Sequence, residues 1–119
     1  MTERSLSRLS LFVSDIDRSA TFYEAIGIEF VSDDDPGYAR SFDGRIDDTI
    51  FELVEARGRR SITHVALTFR VSDIAAAVTR LDDLGYEWHC MIPDYVIVTD
   101  PDGNVVSILQ EKATDLPNA

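Results

Sequence analysis

Thiol and imidazole side chains are scarce in this sequence, which has one cysteine and two histidines beside 22 carboxylates. Cys90 is the sole cysteine, which excludes an intrachain disulfide and fits a reducing compartment. A thiol nucleophile needs an activating neighbour. Only His89 stands beside it, in a segment that reads as a strand, where adjacent side chains point to opposite faces. A small, partly buried thiol is the expectation. Asp33, Asp34 and Asp35 precede Pro36 and Gly37; three carboxylates can attract a cation, but the composition is that of a solvated turn. Arg57, Arg59 and Arg60 form the one basic cluster. In Asp100-Pro101-Asp102-Gly103-Asn104, Asp102 and Asn104 read as turn formers that close a hairpin.

The elements that must position these residues come in two copies. Val13-Ser14-Asp15-Ile16 recurs as Val71-Ser72-Asp73-Ile74, and Gly27, Glu29 and Phe30 recur as Gly85, Glu87 and Trp88, all 58 positions later. A fused duplication places its site where the copies face each other. In the first copy, residues 9–13 read as a strand. Ser14 or Asp15 caps a helix whose buried stripe is Ile16, Ala20, Tyr23 and Ile26, and Gly27 stops it. Strands follow at 28–31, 38–42 and 49–55, the last two joined around Asp43 and Gly44. A linker over 56–61 leads to a second copy with a strand at 62–71, a helix at 72–84 bearing Ile74, Val78 and Leu81, and strands at 86–91, 95–99 and 105–110. Tyr38 precedes Asp43 by five residues and Tyr95 precedes Asp100 by five, which aligns the third strands. Residues 112–119 read as a frayed tail. The chain of 119 residues thus makes one α+β domain, with module one at about 7–55 and module two at about 62–111.

Charge narrows the partners. A net charge of -11 repels phosphate backbones and anionic lipid, so no nucleic-acid or membrane partner is expected, and a cationic ligand is favoured. No apolar run is long enough to cross a bilayer and the first residues lack a signal-peptide core, which predicts a soluble cytoplasmic protein.

The βαβββ duplication, the Val-Ser-Asp-Ile opening with Phe22-Tyr23 on the first helix, and the Asp100–Asn104 segment before the last strand resemble the vicinal oxygen chelate superfamily. That group includes glyoxalase I, extradiol dioxygenases, fosfomycin-resistance proteins and bleomycin-binding proteins. The resemblance implies two modules forming a curled, cup-shaped mixed sheet with helices on its outer face, a homodimer, and a divalent metal held by one residue from the first and last strand of each module. In this chain those positions are Arg8, Glu52, Ala66 and Ser107. Only Glu52 is a good ligand, and a permanent guanidinium cation repels a metal. His64 shares a face with Ala66 and is the one available substitute.

With no cofactor expected, the cup becomes a pocket lined by Ser10, Phe12, His64, Thr68, Ser107, Trp88 and Tyr95, with Arg8 and Glu52 paired across its floor and holding the modules together. The leading expectation is a metal-free binding protein of the bleomycin-resistance type that sequesters a small organic molecule, basic or glycopeptide-like, with stacking on Trp88 or Phe12. Two alternatives stand beside it. One is an enzyme, either a metal-dependent lyase, isomerase or dioxygenase-like protein using Glu52 and His64, or a metal-free one with Glu52 as base; the missing ligands argue against it, and so does Arg8, which would engage Glu52 in an ion pair. The other is a regulatory or structural subunit whose cup is filled by side chains.

Overall fold

The computed structural model describes residues 4–33 and 37–111. Its elements run β1 (Arg8–Val13), α1 (Ile16–Ile26), β2 (Phe30–Asp33), β3 (Ser41–Ile46), β4 (Thr49–Glu55), then β5 (Ala66–Val71), α2 (Ile74–Asp83), β6 (Trp88–Ile92), β7 (Tyr95–Thr99) and β8 (Val105–Gln110). The βαβββ order is therefore written twice. Each copy makes its own four-stranded mixed sheet with the same permutation, β1-β4-β3-β2 and β5-β8-β7-β6. In both, the first strand runs parallel to the last and the remaining pairs are antiparallel. Asp34, Asp35 and the expected tail lie outside the described residues. No helix among the described residues is long and apolar enough to cross a membrane.

Local chemistry sets the helix ends. The Asp15 carboxylate accepts the Arg18 amide at 3.1 Å and Asp73 accepts that of Ala76 at 3.0 Å, so each capping aspartate satisfies one orphan donor. Gly27 closes α1 with φ of 119°, and its N–H bonds back to the last turn. That left-handed conformation excludes most side chains.

Alternation on the strands decides what is buried. Leu11 and Val13 of β1 and Phe51 and Leu53 of β4 pack under Ile16, Ala20 and Tyr23 of α1; Val106 and Ile108 of β8 and Val98 of β7 join Leu81 of α2 in the same core. Tyr23 stands at the junction, its ring centroid 5.1 Å from Phe51 and 6.1 Å from Phe69 of β5. The helices touch as well, since Arg80 Nε donates to the Ala25 carbonyl at 2.7 Å. The shortest dimension is 22 Å, about one helix layer on one sheet layer. Both sheets consequently keep one face free of helices.

Hydrogen-bonded pairing is continuous only within each module. Between them, the Thr63 amide donates to the Phe12 carbonyl and the Phe12 amide to Thr63 Oγ1, each at 2.9 Å. That crossing holds Thr63 against β1, and β5 begins three residues later, at Ala66 and not at residue 62.

Two sequence expectations are corrected by the register. Asp43 and Gly44 lie within β3, paired with Glu52 and Phe51, and the turn is formed instead by Asp47 and Asp48, with Asp47 at φ of 51°. Glycine is required at 44 for space, because a Cβ there would lie 2.5 Å from Ile28 Cγ2 and 3.1 Å from Phe30 Cε1. Gly44→Ala is expected to lower stability by about 1–3 kcal/mol through overpacking, measured by urea unfolding. The tyrosine-to-aspartate spacing is a coincidence: Ser107 pairs with Ile97 as Glu52 pairs with Asp43, so Asp43 corresponds to Ile97. Asp100 lies beyond β7, and Tyr38 lies before β3, 71% exposed.

Candidate functional site

The helix-free face of module one carries the side chains that alternate with its core residues. Register aligns Ser10, Glu52, Asp43 and Val31 in one row across the four strands, and Phe12, Val54 and Ser41 in the next. Arg8 reaches this face from the start of β1. Its Nη1 lies 3.3 Å from Glu52 Oε1 and 3.5 Å from Asp43 Oδ1, and the Ser10 hydroxyl donates to Glu52 Oε1 at 2.7 Å. Asp43 Oδ1 has no hydrogen-bond partner, so Arg8 compensates its charge without satisfying it. The expected pair of Arg8 and Glu52 exists, but β1, β3 and β4 belong to one module. It does not hold the modules together.

In module two the equivalent rows are Thr68, Ser107, Ile97 and His89, and Arg70, Leu109 and Tyr95. Thr68, Tyr95 and Ser107 thus share one face, as Arg8, Ser10, Phe12 and Glu52 share the other. His64 is exposed, just before β5. Trp88 departs from the expectation. It pairs with Val98, whose side chain is in the core, and its Nε1 donates to Asp82 of α2 at 2.7 Å. Alternation therefore puts Trp88 under the helix and His89 on the free face. Cys90 is exposed where partial burial was expected, because β6 is the outer strand of its sheet.

The family-implied metal positions were tested by their donor chemistry. Arg8 puts a guanidinium beside Glu52, Ala66 offers no donor, and Ser107 offers only a hydroxyl. Among the described residues no three His, Cys, Asp or Glu side chains converge on a common point. This set does not fit a divalent ion.

What sequence reasoning missed is a clasp between the modules. Asp100, 4% exposed, accepts hydrogen bonds from the Tyr23 hydroxyl at 2.6 Å, the Asp102 amide at 2.9 Å, the Asn104 amide at 2.8 Å and Asn104 Nδ2 at 2.9 Å. Asn104 Oδ1 accepts the Val65 amide at 2.7 Å. Asp102 accepts the Ser14 amide at 3.1 Å and also the Ser14 hydroxyl. Asp102 and Asn104, read as hairpin formers, therefore also tie the β7–β8 turn to α1 and to the entry of β5. Burial holds the Tyr23 phenol well above its usual pKa, and the bond to Asp100 adds to this. Both halves were visible as Phe22-Tyr23 and the Asp100–Asn104 turn; their separation of 77 residues concealed the pairing.

The duplicated βαβββ fold, the free sheet faces and the aspartate turn are features that a family would share. Residues 5–108 match the Glyoxalase/Bleomycin resistance protein/Dioxygenase superfamily. The chain belongs to that superfamily. No curated protein sequence matches it. Among solved structures, this superfamily member resembles TnmS3, an antibiotic binding protein from Streptomyces sp. CB03234, at 25% identity and a TM-score of 0.71, covering 94% of this chain and 99% of that one. It shares its fold with the glyoxalase I of Leishmania major (23% identity, TM-score 0.71, 92% and 88% covered). The fosfomycin resistance protein FosX from Mesorhizobium loti is similar in fold too (18% identity, TM-score 0.71, 97% of each chain).

Proposed function

We propose that this superfamily member is a metal-free binding protein that sequesters a small organic molecule on its helix-free sheet faces, as a cytoplasmic homodimer. The observation that carries the reading is the Arg8 guanidinium 3.3 Å from Glu52, at a position where catalytic relatives are expected to hold a metal ligand. Sequestration needs affinity alone, so loss of ligands at three of four positions leaves it intact. Likeness to an antibiotic binding protein supports the same direction. The dimer is supported by apolar residues left open on these faces, Val31 at 73% and Val105 at 47% exposed, which a second copy would cover.

The test is a thermal-shift series in Ni, Zn, Mn and Co on protein purified without added metal, with metal analysis of the same preparation. Little bound metal and no shift are expected. Near-stoichiometric metal, with stabilisation approaching ~2.7 kcal/mol at a hundredfold excess over Kd, would overturn the reading. Because Trp88 packs under α2, ligand binding is better followed by amide chemical shifts on the free faces than by tryptophan quenching.

A further inference from the structure

The net charge favours a cation at long range, whereas the side chains around Phe12 favour the opposite at contact. The linker folds back along the edge of β1 because Thr63 is bonded to Phe12. This return lays the Arg60 guanidinium over the Phe12 ring at 4.4 Å from its centroid. Beside them is an open hollow of about 640 Å³ lined by Phe12, Arg59, Arg60, Ser61, Ile62 and Thr63, within the size range of small-molecule sites. No carboxylate lines the hollow; Glu52 and Asp43, on the same sheet face as Phe12, are held by Arg8, and Glu55 accepts Arg57 Nε at 2.8 Å. Arg59 makes no hydrogen bond or ion pair among the described residues. Arg59 and Arg60 thus border the hollow without a carboxylate partner among the described residues, in a chain of net charge -11.

We infer that Phe12, Arg59 and Arg60 form the recognition element for a planar aromatic anion, with Arg60 as a displaceable cover; this rests on the small-molecule-binding reading above. Phe12 is half-buried and Arg60 is exposed; a guanidinium stacked on a ring at an exposed site shifts an equilibrium only about fivefold or less, so an aromatic ring can take its place on the open side of Phe12. The slab it vacates suits a flat ligand. Once displaced, Arg60 pairs with the ligand's carboxylate or sulfonate, and a charge-assisted bond is roughly twice as strong as a neutral one. Arg59 supplies the second cation.

The test titrates anthraquinone-2-sulfonate, with N-methylacridinium as the cationic counterpart, and follows the amides of Phe12 and of residues 59–63 by 1H–15N spectra. Saturable binding of the sulfonate with shifts at these amides is expected. Arg59→Ala and Arg60→Ala each weaken it on the order of tenfold, Arg60→Glu abolishes it, and Phe12→Leu, which keeps the bulk and loses the ring face, weakens it comparably. The linker substitutions lie at exposed positions, and an unchanged melting temperature for each confirms that folding is not the cause. Sulfonate binding that is indifferent to Arg60→Glu overturns the inference. Binding of N-methylacridinium to the free faces in place of the sulfonate also overturns it but leaves the small-molecule reading standing, whereas silence with both probes sinks the two together.

Discussion

Replacing Asp100 by alanine is expected to lower the stability of this protein by about 3–5 kcal/mol, measured by urea unfolding followed through far-UV dichroism and Trp88 fluorescence. The side chain is almost wholly buried and accepts four hydrogen bonds. Its removal strands the Tyr23 hydroxyl, two amides and the Asn104 side chain. Such groups cost more when orphaned than the bonds contributed when made. Tyr23→Phe removes one partner and leaves Asp100 with three, so a smaller loss of about 1.5–3 kcal/mol is expected. The pair also has a pH signature. The folded protein holds the Tyr23 phenol above its usual pKa, so the contribution is complete below the unfolded value of about 10 and is lost as pH rises above it. Wild type should therefore lose stability more steeply than Tyr23→Phe in the alkaline range. Equal slopes would show that the phenol is not held neutral by the fold.

The second large effect is a gain. Arg8→His alone should confer no stabilisation by Ni or Zn, because it leaves Ala66 and Ser107 without donors. Arg8→His combined with Ala66→His and Ser107→Glu fills the three vacant family positions around Glu52. That triple variant should be stabilised by about 2.7 kcal/mol at metal concentrations a hundredfold above its Kd, read as a melting-temperature shift that a chelator abolishes. A shift in the single variant would mean that Glu52 and another group already hold most of a site. No shift in the triple would mean that the two free faces do not meet as they do in metal-binding relatives.

The parts of this architecture visible in the sequence are those governed by neighbours in the chain. Asp15, Gly27 and the stripe of Ile16, Ala20, Tyr23 and Ile26 act within a few residues of one another, and α1 forms where they imply. The strand at 105–110 coincides with β8, and the pairing of Arg8 with Glu52 followed from the family's spacing. Contacts between distant segments were hidden. Gly44 resembles a turn residue until Ile28 and Phe30 are seen against it. Trp88 resembles a ligand platform, yet β6 sits in the register that turns this ring toward α2. The Asp100 turn looks self-contained because its partners, Ser14, Tyr23 and Val65, belong to segments distant in the chain.

The clasp also distinguishes the two modules. The turn that supplies it has five residues between β7 and β8, against two between β3 and β4, so module one has no counterpart of Asp100. The residue that answers it is Tyr23, whose counterpart 58 positions on is Leu81, buried and without a hydroxyl. One module holds the donor and the other the acceptor. Neither half can make this contact with a copy of itself, and two chains that meet must still pair a first module with a second one wherever the clasp is used. Two modules of the same element order are in this way made directional, the first supplying the Tyr23 hydroxyl and the second the Asp100 carboxylate that accepts it.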